Sequence, residues 1–285
     1  MYGVSPAYFF SRYTTGFSVS DYIAGLDLLK RMGFEGYQLE VFHPDRLDEW
    51  LTQAPRLARR GNELGMSATQ FVAHFLLMAT KDEPSLMSDL GYEQMKGVVE
   101  VTHLFPECTT ITLPIAPFAP AAGTIIKVDQ YRRLWDRLML KLLAMARIVE
   151  SGGLRLALEL VPGSLIGSTE GFLRMMHEAG NTSIGYNFDT GHAWSSKEAI
   201  ALIPAKLAGR IYGTHLKDNF GTENLALPPG DGSIPWPALL SALQAAGYEG
   251  SLDLEIACAD KEAVEAAYRK GKEHVQRTIA AMTTP

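Results

Sequence analysis

LRLALELVP (154–162), SIGYNFDTGH (183–192), RIYGTHLKDN (210–219) and GSLDLEIA (250–257) are four short β-rich runs, and each ends in a side chain able to ligate a metal. Those side chains are Glu159, Asp189, His215 and Glu255. A stretch of helical period separates each run from the next. Repeated strand–helix units build a parallel sheet. When such a sheet closes into a barrel, its active site forms at the carboxyl ends of the strands. Three carboxylates and one imidazole converging there would make a site for a divalent ion.

Working outward, the same alternation runs through the whole chain. Strands are expected at Tyr2–Phe10, Gly36–Phe42, Ser67–Phe75, Thr109–Ile115, Leu154–Val161, Ser183–Asp189, Arg210–Leu216 and Ser251–Ile256. Helices are expected near 20–32, 48–64, 86–104, 128–150, 169–179, 196–208, 236–246 and 260–281, with Ser20 capping the first. Eight units favour a single-domain (β/α)8 TIM barrel over residues 1–285, and no GxGxxG follows the first strand to support a dinucleotide-binding sheet. The stretches Pro114–Lys127 and Phe220–Pro237 read as long loops over the barrel mouth.

The length of 285 residues suits such a barrel. A net charge of −6 argues against a general nucleic-acid or membrane-surface role, because both need a basic field. No apolar run is long enough to span a bilayer. The amino terminus lacks the basic and apolar regions of a secretory signal. Two cysteines, Cys108 and Cys258, make no disulfide framework and read as small apolar residues. The expectation is a cytoplasmic protein.

Side chains alternate faces along a strand, which gives a test of the proposed ligands. If the ligands point into the barrel, counting back by twos sends Ala157 and Arg155, Asn187 and Gly185, Lys217 and Gly213, and Asp253 and Ser251 inward as well. Leu156, Leu158, Leu160, Ile184, Tyr186, Phe188, Tyr212, Leu216, Leu252, Leu254 and Ile256 then face the helices. Large apolar residues fall on one side, and polar or small ones on the other. The same rule points Gln38 and Glu40 of strand two, and Gln70 and His74 of strand three, into the lumen. Buried lone carboxylates are costly, and a metal ion supplies the missing counter-charge.

Three carboxylates with one imidazole suit Mn2+ or Mg2+, with Co2+ or Zn2+ as alternatives. Open positions on such an ion would take two substrate oxygens, and a neighbouring carboxylate would remove the proton next to a carbonyl. His192 reads as a substrate-binding group or one that supports the ligands, with a core histidine as the alternative. Lys217 is either a second one or half of a structural ion pair with Asp218. Glu40 and His74 are mouth residues that bind substrate or pair with each other. Trp194 and Trp236 flank the mouth, where stacking on a sugar competes with core packing. His43, His103 and His177 are assigned no role.

The runs LALELVPGS, FDTGHAW, THLKDN and PPGDGSIPWPALLSALQAAGYEGSLDLEI, with GFEGYQLE in the first half, resemble the xylose-isomerase-like barrel superfamily, which includes sugar phosphate isomerases/epimerases, ketose 3-epimerases, inosose dehydratases and endonuclease IV. The resemblance is strongest over residues 150–257. It implies that Glu159, Asp189, His215 and Glu255 hold one metal ion, that Glu159 and Glu255 form the acid/base pair, and that His192 binds substrate oxygens. An arginine six residues beyond the metal histidine marks the ketose 3-epimerases, and here that position is Gly221. The activity implied is isomerisation or epimerisation of a sugar or keto-polyol through an ene-diolate. The alternative is a lyase or dehydratase acting on a keto-sugar or inosose. A minor alternative is an endonuclease IV-like phosphodiesterase, which the acidic charge and few histidines disfavour. A Schiff-base aldolase using Lys217 and a non-catalytic sugar-binding barrel are further alternatives. A small-molecule sugar is the expected partner, and dimers or tetramers are common among the resembling proteins.

Overall fold

The computed structural model describes residues 1–180 and 182–283. The strands are β1 (Tyr2–Val4), β2 (Gly36–Leu39), β3 (Ser67–Val72), β4 (Thr110–Ile115), β5 (Arg155–Leu160), β6 (Gly185–Asp189), β7 (Ile211–His215) and β8 (Leu252–Leu254). The helices are α1 (Ala7–Tyr13), α2 (Val19–Arg31), α3 (Leu47–Leu64), α4 (Glu83–Met87), α5 (Tyr92–Thr102), α6 (Val128–Ser151), α7 (Thr169–Glu178), α8 (Thr190–Ser195), α9 (Ile203–Lys206), α10 (Trp236–Ala245) and α11 (Val264–Thr283).

Strands β2 to β7 pair in sequence order as one parallel sheet, and β1 pairs with β8. Backbone hydrogen bonds close the ring. Glu35 N donates to Tyr2 O at 2.9 Å, joining β1 to β2, and Leu216 N donates to Asp253 O at 2.8 Å, joining β7 to β8. The result is a (β/α)8 barrel. Its helix-facing residues behave as alternation requires: Leu156, Leu158, Phe188 and Leu254 are buried, and the Tyr186 ring meets Phe172 of α7 edge-on at 5.1 Å. The lumen is unusually polar, with Gln38, Gln70, Thr112, Asn187 and Asp253 all buried. No helix among the described residues is long and apolar enough to cross a membrane.

Several expectations fail for local reasons. The first strand stops at Val4, because Pro6 lies in the helical region and Ala7–Tyr13 continues as a helix. Helix α2 is capped by Ser18, not Ser20: the Ser18 hydroxyl accepts from Asp21 N at 3.2 Å, and Asp21 accepts from Ser18 N at 2.8 Å, a reciprocal cap. The expected helix 86–104 is two helices, broken at extended Ser88 and at Gly91 with φ of 100°. The expected helix 196–208 is replaced by a 3-10 turn at Ile200–Leu202 and the short α9, and Lys197, with φ of 62°, separates them from α8. Strand three ends at Val72, so His74 opens a 3-10 turn at His74–Ala79 instead of lying on the strand.

Tyr212 also departs from expectation. The β6–β7 register shifts between Tyr186 and Asn187, and the Tyr212 ring lies where a Cβ on lumen-facing Gly185 would be. Arg155 stacks on that ring at 4.5 Å, so the pair covers the amino-terminal end of the barrel. A second shift, between Tyr37 and Leu39 of β2, sets two residues of β3, Thr69 and Gln70, against Gln38, and both reach lumen side chains.

Candidate metal centre

Each of the four expected ligands sits at the end of its strand. Glu159 is next to last in β5, Asp189 and His215 close β6 and β7, and Glu255 follows β8 by one residue. Their ligand atoms all lie within 4.8 Å of one another. His215 Nδ1 stands 2.8 Å from Glu159 Oε2, 2.7 Å from Glu255 Oε2 and 3.9 Å from Asp189 Oδ2. An ion with bonds of about 2.1 Å bridges donors up to roughly 4.2 Å apart, so small adjustments would let all four reach one ion.

The donor chemistry fits a divalent ion. His215 Nε2–H donates to Gln38 Oε1 at 2.8 Å, so the ring turns Nδ1 toward the carboxylates. Nδ1 of His215 and Oδ2 of Asp189 are buried, and among the described residues the groups within reach of them are the charged members of the cluster itself. Atoms of this kind, converging on one point, are what an ion would satisfy.

Local sequence explains the placement. Asp189 caps α8, with its Oδ1 accepting from His192 N at 2.8 Å, which leaves Oδ2 facing the cluster. Gly191 of the DTGH run allows Lys217 to cross α8, since a Cβ there would press on the lysine stem at 2.6 Å. Gly213, two residues before His215, leaves room for the amides of Gln70 and Asn187.

In the protein alone, burial opposes ionisation throughout. Glu159 and Glu255 are nevertheless held below the usual carboxylate range, Glu159 chiefly by His215 and Glu255 by Lys217 and His215. His215 is desolvated, yet its pKa is raised well above the ordinary histidine value by the two glutamates. Lys217, also desolvated, is raised by Asp189 and Glu255. Burial raises Asp189 and Glu40 and lowers His192 and His74. Two cations thus offset the carboxylates, and a metal binding here must displace the proton on His215.

The remaining expected site residues divide into two groups. His192 and Lys217 join the cluster. Lys217 Nζ lies 2.7 Å from both Asp189 Oδ2 and Glu255 Oε1 and 3.1 Å from His192 Nε2, and His192 Nδ1 lies 3.5 Å from Glu159. Glu40 and His74 form the opposite wall. Glu40 is buried, its Oε2 without a partner among the described residues, and His74 stands at the rim with Nδ1 3.8 Å from Glu40 Oε1 and its ring against Phe42.

The Lys217–Asp218 pair does not form. Adjacent residues of an extended chain face apart, and Asp218 turns away to accept from Gly230 N at 2.9 Å, Ile234 N at 3.1 Å and Trp236 Nε1 at 2.8 Å. Trp236 is therefore a buried anchor for the loop after β7, and half-buried Trp194 donates to Ser233 Oγ at 3.0 Å. Cys108 is buried, Cys258 is partly so, and both are free thiols. Several lumen residues that parity placed without a role meet the ligands or each other: Gln38 accepts from His215, Gln70 donates to Asn187, and Asn187 Nδ2 donates to Glu159 Oε2 at 2.9 Å. Their inward parity was the one available signal.

The fold is that of a TIM barrel, and the cluster at its mouth could hold a metal ion. The chain belongs to the xylose isomerase-like TIM barrel family, which it matches over residues 26–278. It is 30% identical over 166 residues to the rhizopine catabolism protein MocC of Rhizobium meliloti, covering 52% of this chain and 50% of that one. It is 29% identical over 133 residues to an inosose dehydratase of Geobacillus thermodenitrificans, covering 41% and 45%. These matches span about half the length of those relatives or less. An L-ribulose 3-epimerase structure superposes with a TM-score of 0.76 at 18% identity, over 99% of this chain and 95% of that one, a likeness of fold.

Proposed function

We propose that the protein is a divalent-metal-dependent isomerase or epimerase that moves a proton next to the carbonyl of a sugar or keto-polyol through an ene-diolate. The observation that carries this reading is the pair of glutamates, Glu159 and Glu255, converging on His215 Nδ1 at 2.8 and 2.7 Å and both held ionised. When bound, a divalent ion would polarise the carbonyl and stabilise negative charge on its oxygen, and the oxygen-rich donor set favours Mn2+ or Mg2+ over Co2+ or Zn2+.

The chain's own residues supply the rest. Glu255, 19% exposed against 6% for Glu159, faces the mouth and takes the substrate proton. Glu159 serves as its partner from the deeper side. His192 and Lys217 hold substrate oxygens over the cluster, while Glu40 and His74 contact the sugar from the opposite wall. The likeness in fold to an epimerase supports the isomerase reading. Identity to an inosose dehydratase favours a second reading, in which the same proton removal is followed by loss of a β-hydroxyl.

The test is incubation of the Mn2+-loaded protein with a panel of ketoses and inososes in D2O. Deuterium at the carbon next to the carbonyl in recovered sugar supports the isomerase. An unsaturated product moves the assignment to the dehydratase. Failure to exchange or eliminate with any member, in protein shown to hold Mn2+, overturns both.

A further inference from the structure

Beneath the cluster lies a layer of side-chain amides, and the hydrogen bonds through it run in opposite senses under two of the ligands. Under Glu159 the donors point upward: the Thr112 hydroxyl donates to Gln70 Oε1, Gln70 Nε2 to Asn187 Oδ1 at 3.1 Å, and Asn187 Nδ2 to Glu159 Oε2 at 2.9 Å. Under His215 they point downward: His215 Nε2–H donates to Gln38 Oε1 at 2.8 Å, and Gln38 Nε2 donates to Asp253 Oδ2 at 2.9 Å.

Asp253 ends the second chain and belongs to no part of the mechanism above. It is 1% exposed and also accepts from Ser251 Oγ at 2.5 Å and Thr69 Oγ1 at 3.1 Å. Its space is made by Gly3 of β1, where a Cβ would overlap Asp253 Oδ1. Donors reach this carboxylate from β2, β3 and the start of β8, so its place in the barrel is over-determined.

The polarity has a consequence. A carboxylate only accepts hydrogen bonds, so Gln38 must turn its NH2 group toward Asp253. That leaves the Gln38 carbonyl oxygen facing His215, where only an Nε2–H can satisfy it. The other ring nitrogen, Nδ1, then faces Glu159 and Glu255 with its lone pair free when the ring is neutral. We propose that Asp253 is a positioning residue for the metal centre: acting through Gln38, it fixes the ring orientation and tautomer of His215. This inference rests on the metal-centre reading. An outer carboxylate linked to a ligand histidine raises its basicity and orders its ring, and here an amide relays that effect across the barrel.

The experiment measures Mn2+ binding to metal-free protein by calorimetry, checked by the loss of the free-ion EPR signal. In Asp253→Asn the shape is kept, but either end of the new amide can face Gln38. Gln38 is then free to turn, and Mn2+ affinity falls by roughly 10–100-fold. The double variant Gln38→Glu with Asp253→Asn reverses the acid–amide order at constant total charge. The amide introduced at position 253 would donate from its NH2 to the carboxylate introduced at position 38, which accepts from His215 Nε2–H, and most of the lost affinity returns. Wild-type affinity in the single variant, or a double variant as weak as the single one, overturns the proposal. Thermal unfolding of each metal-free variant identifies a loss that comes from misfolding, and a single variant that fails to fold leaves the double variant against wild type to decide. A wild type that binds no Mn2+ overturns the metal centre itself and this inference with it.

Discussion

The two glutamates of the cluster stand at nearly the same distance from His215 Nδ1, yet their surroundings differ. Glu159 is gripped from beneath by Asn187, whose amide is held in turn by Gln70 and Thr112. Glu255 rises from the end of β8, and its contacts among the described residues go to His215 and, through Oε1, to Lys217 at 2.7 Å. One carboxylate is fixed by a chain of short, packed side chains. The other is held by an ammonium on a long flexible stem that also serves Asp189. On the proposed reading, residues of the same type at matching positions would take different work: Glu159 would anchor the ion, and Glu255, held among the described residues by His215 and the lysine, would be the one to turn toward substrate.

The sharpest way to break this comparison is to neutralise each glutamate at constant shape. Glu159→Gln and Glu255→Gln should each lower turnover by about 10²–10⁴-fold, the usual worth of a positioned acid or base. They should part on metal binding: Glu159→Gln loses Mn2+ affinity along with turnover, whereas Glu255→Gln keeps more of it. Steady-state kinetics and calorimetry on both variants decide the matter. Wild-type turnover in either removes the catalytic assignment, and equal loss of metal in both removes the asymmetry.

The grip from beneath is tested next. Asn187→Ala takes away the amide that donates to Glu159 and leaves Gln70 Nε2 without its acceptor. Mn2+ affinity should fall by roughly 10–100-fold, the range for losing a group that orients a ligand. Thermal stability should fall with it, because a buried donor loses its partner. Unchanged affinity would mean that the lumen amides only fill space.

How much of this was legible in the sequence depends on backbone regularity. The four candidate ligands were legible as strand-end groups, and counting back from them by twos put large apolar residues on the helix side in nearly every case. Tyr212 escaped because the register shift beside it moves the ring to the lumen floor, and Thr69 reached the lumen through a similar shift in β3. Such shifts leave little trace in a run of residues. His74 was assigned inward from strand alternation but stands on a 3-10 turn at the rim. Gln38 and His215 are 177 positions apart, and their hydrogen bond follows from closure of the ring, not from any local pattern. The absence of a Lys217–Asp218 pair was available in principle, since neighbours on an extended segment point to opposite sides.

Lys217 offers a change of opposite sign. Its ammonium sits 2.7 Å from Asp189 and Glu255 and would compete with an incoming cation for both. Lys217→Met keeps much of the stem and removes the charge. Mn2+ affinity should rise, on the order of tenfold for a cation removed beside a buried ion site, while turnover falls because a substrate oxygen loses its partner. Calorimetry and kinetics on the same preparation separate the two effects. A variant that binds metal more weakly would show that Lys217 holds Asp189 and Glu255 in place more than it competes with the ion.

The smallest effect is expected farthest from the ion, where Asp218 pins the loop after β7. The carboxylate accepts from three backbone amides of that loop, those of Asn219, Gly230 and Ile234, and from Trp236 Nε1, and Trp236 is buried at the start of α10. Trp236→Phe retains most of the apolar packing and deletes one hydrogen bond to a carboxylate, a loss of about 1.5–3 kcal/mol. The backbone donors remain, so the loop should stay in place with a melting temperature a few degrees lower, and Mn2+ affinity should hardly change. Asp218 adjoins Lys217, however, so turnover should fall modestly, by less than about tenfold, as the lysine becomes less well held. Calorimetric unfolding alongside Mn2+ titration checks both parts. Should this variant lose metal as completely as Glu159→Gln, the loop would be part of the cradle of the ion, and the division between a rigid deep side and an adjustable outer side would fail.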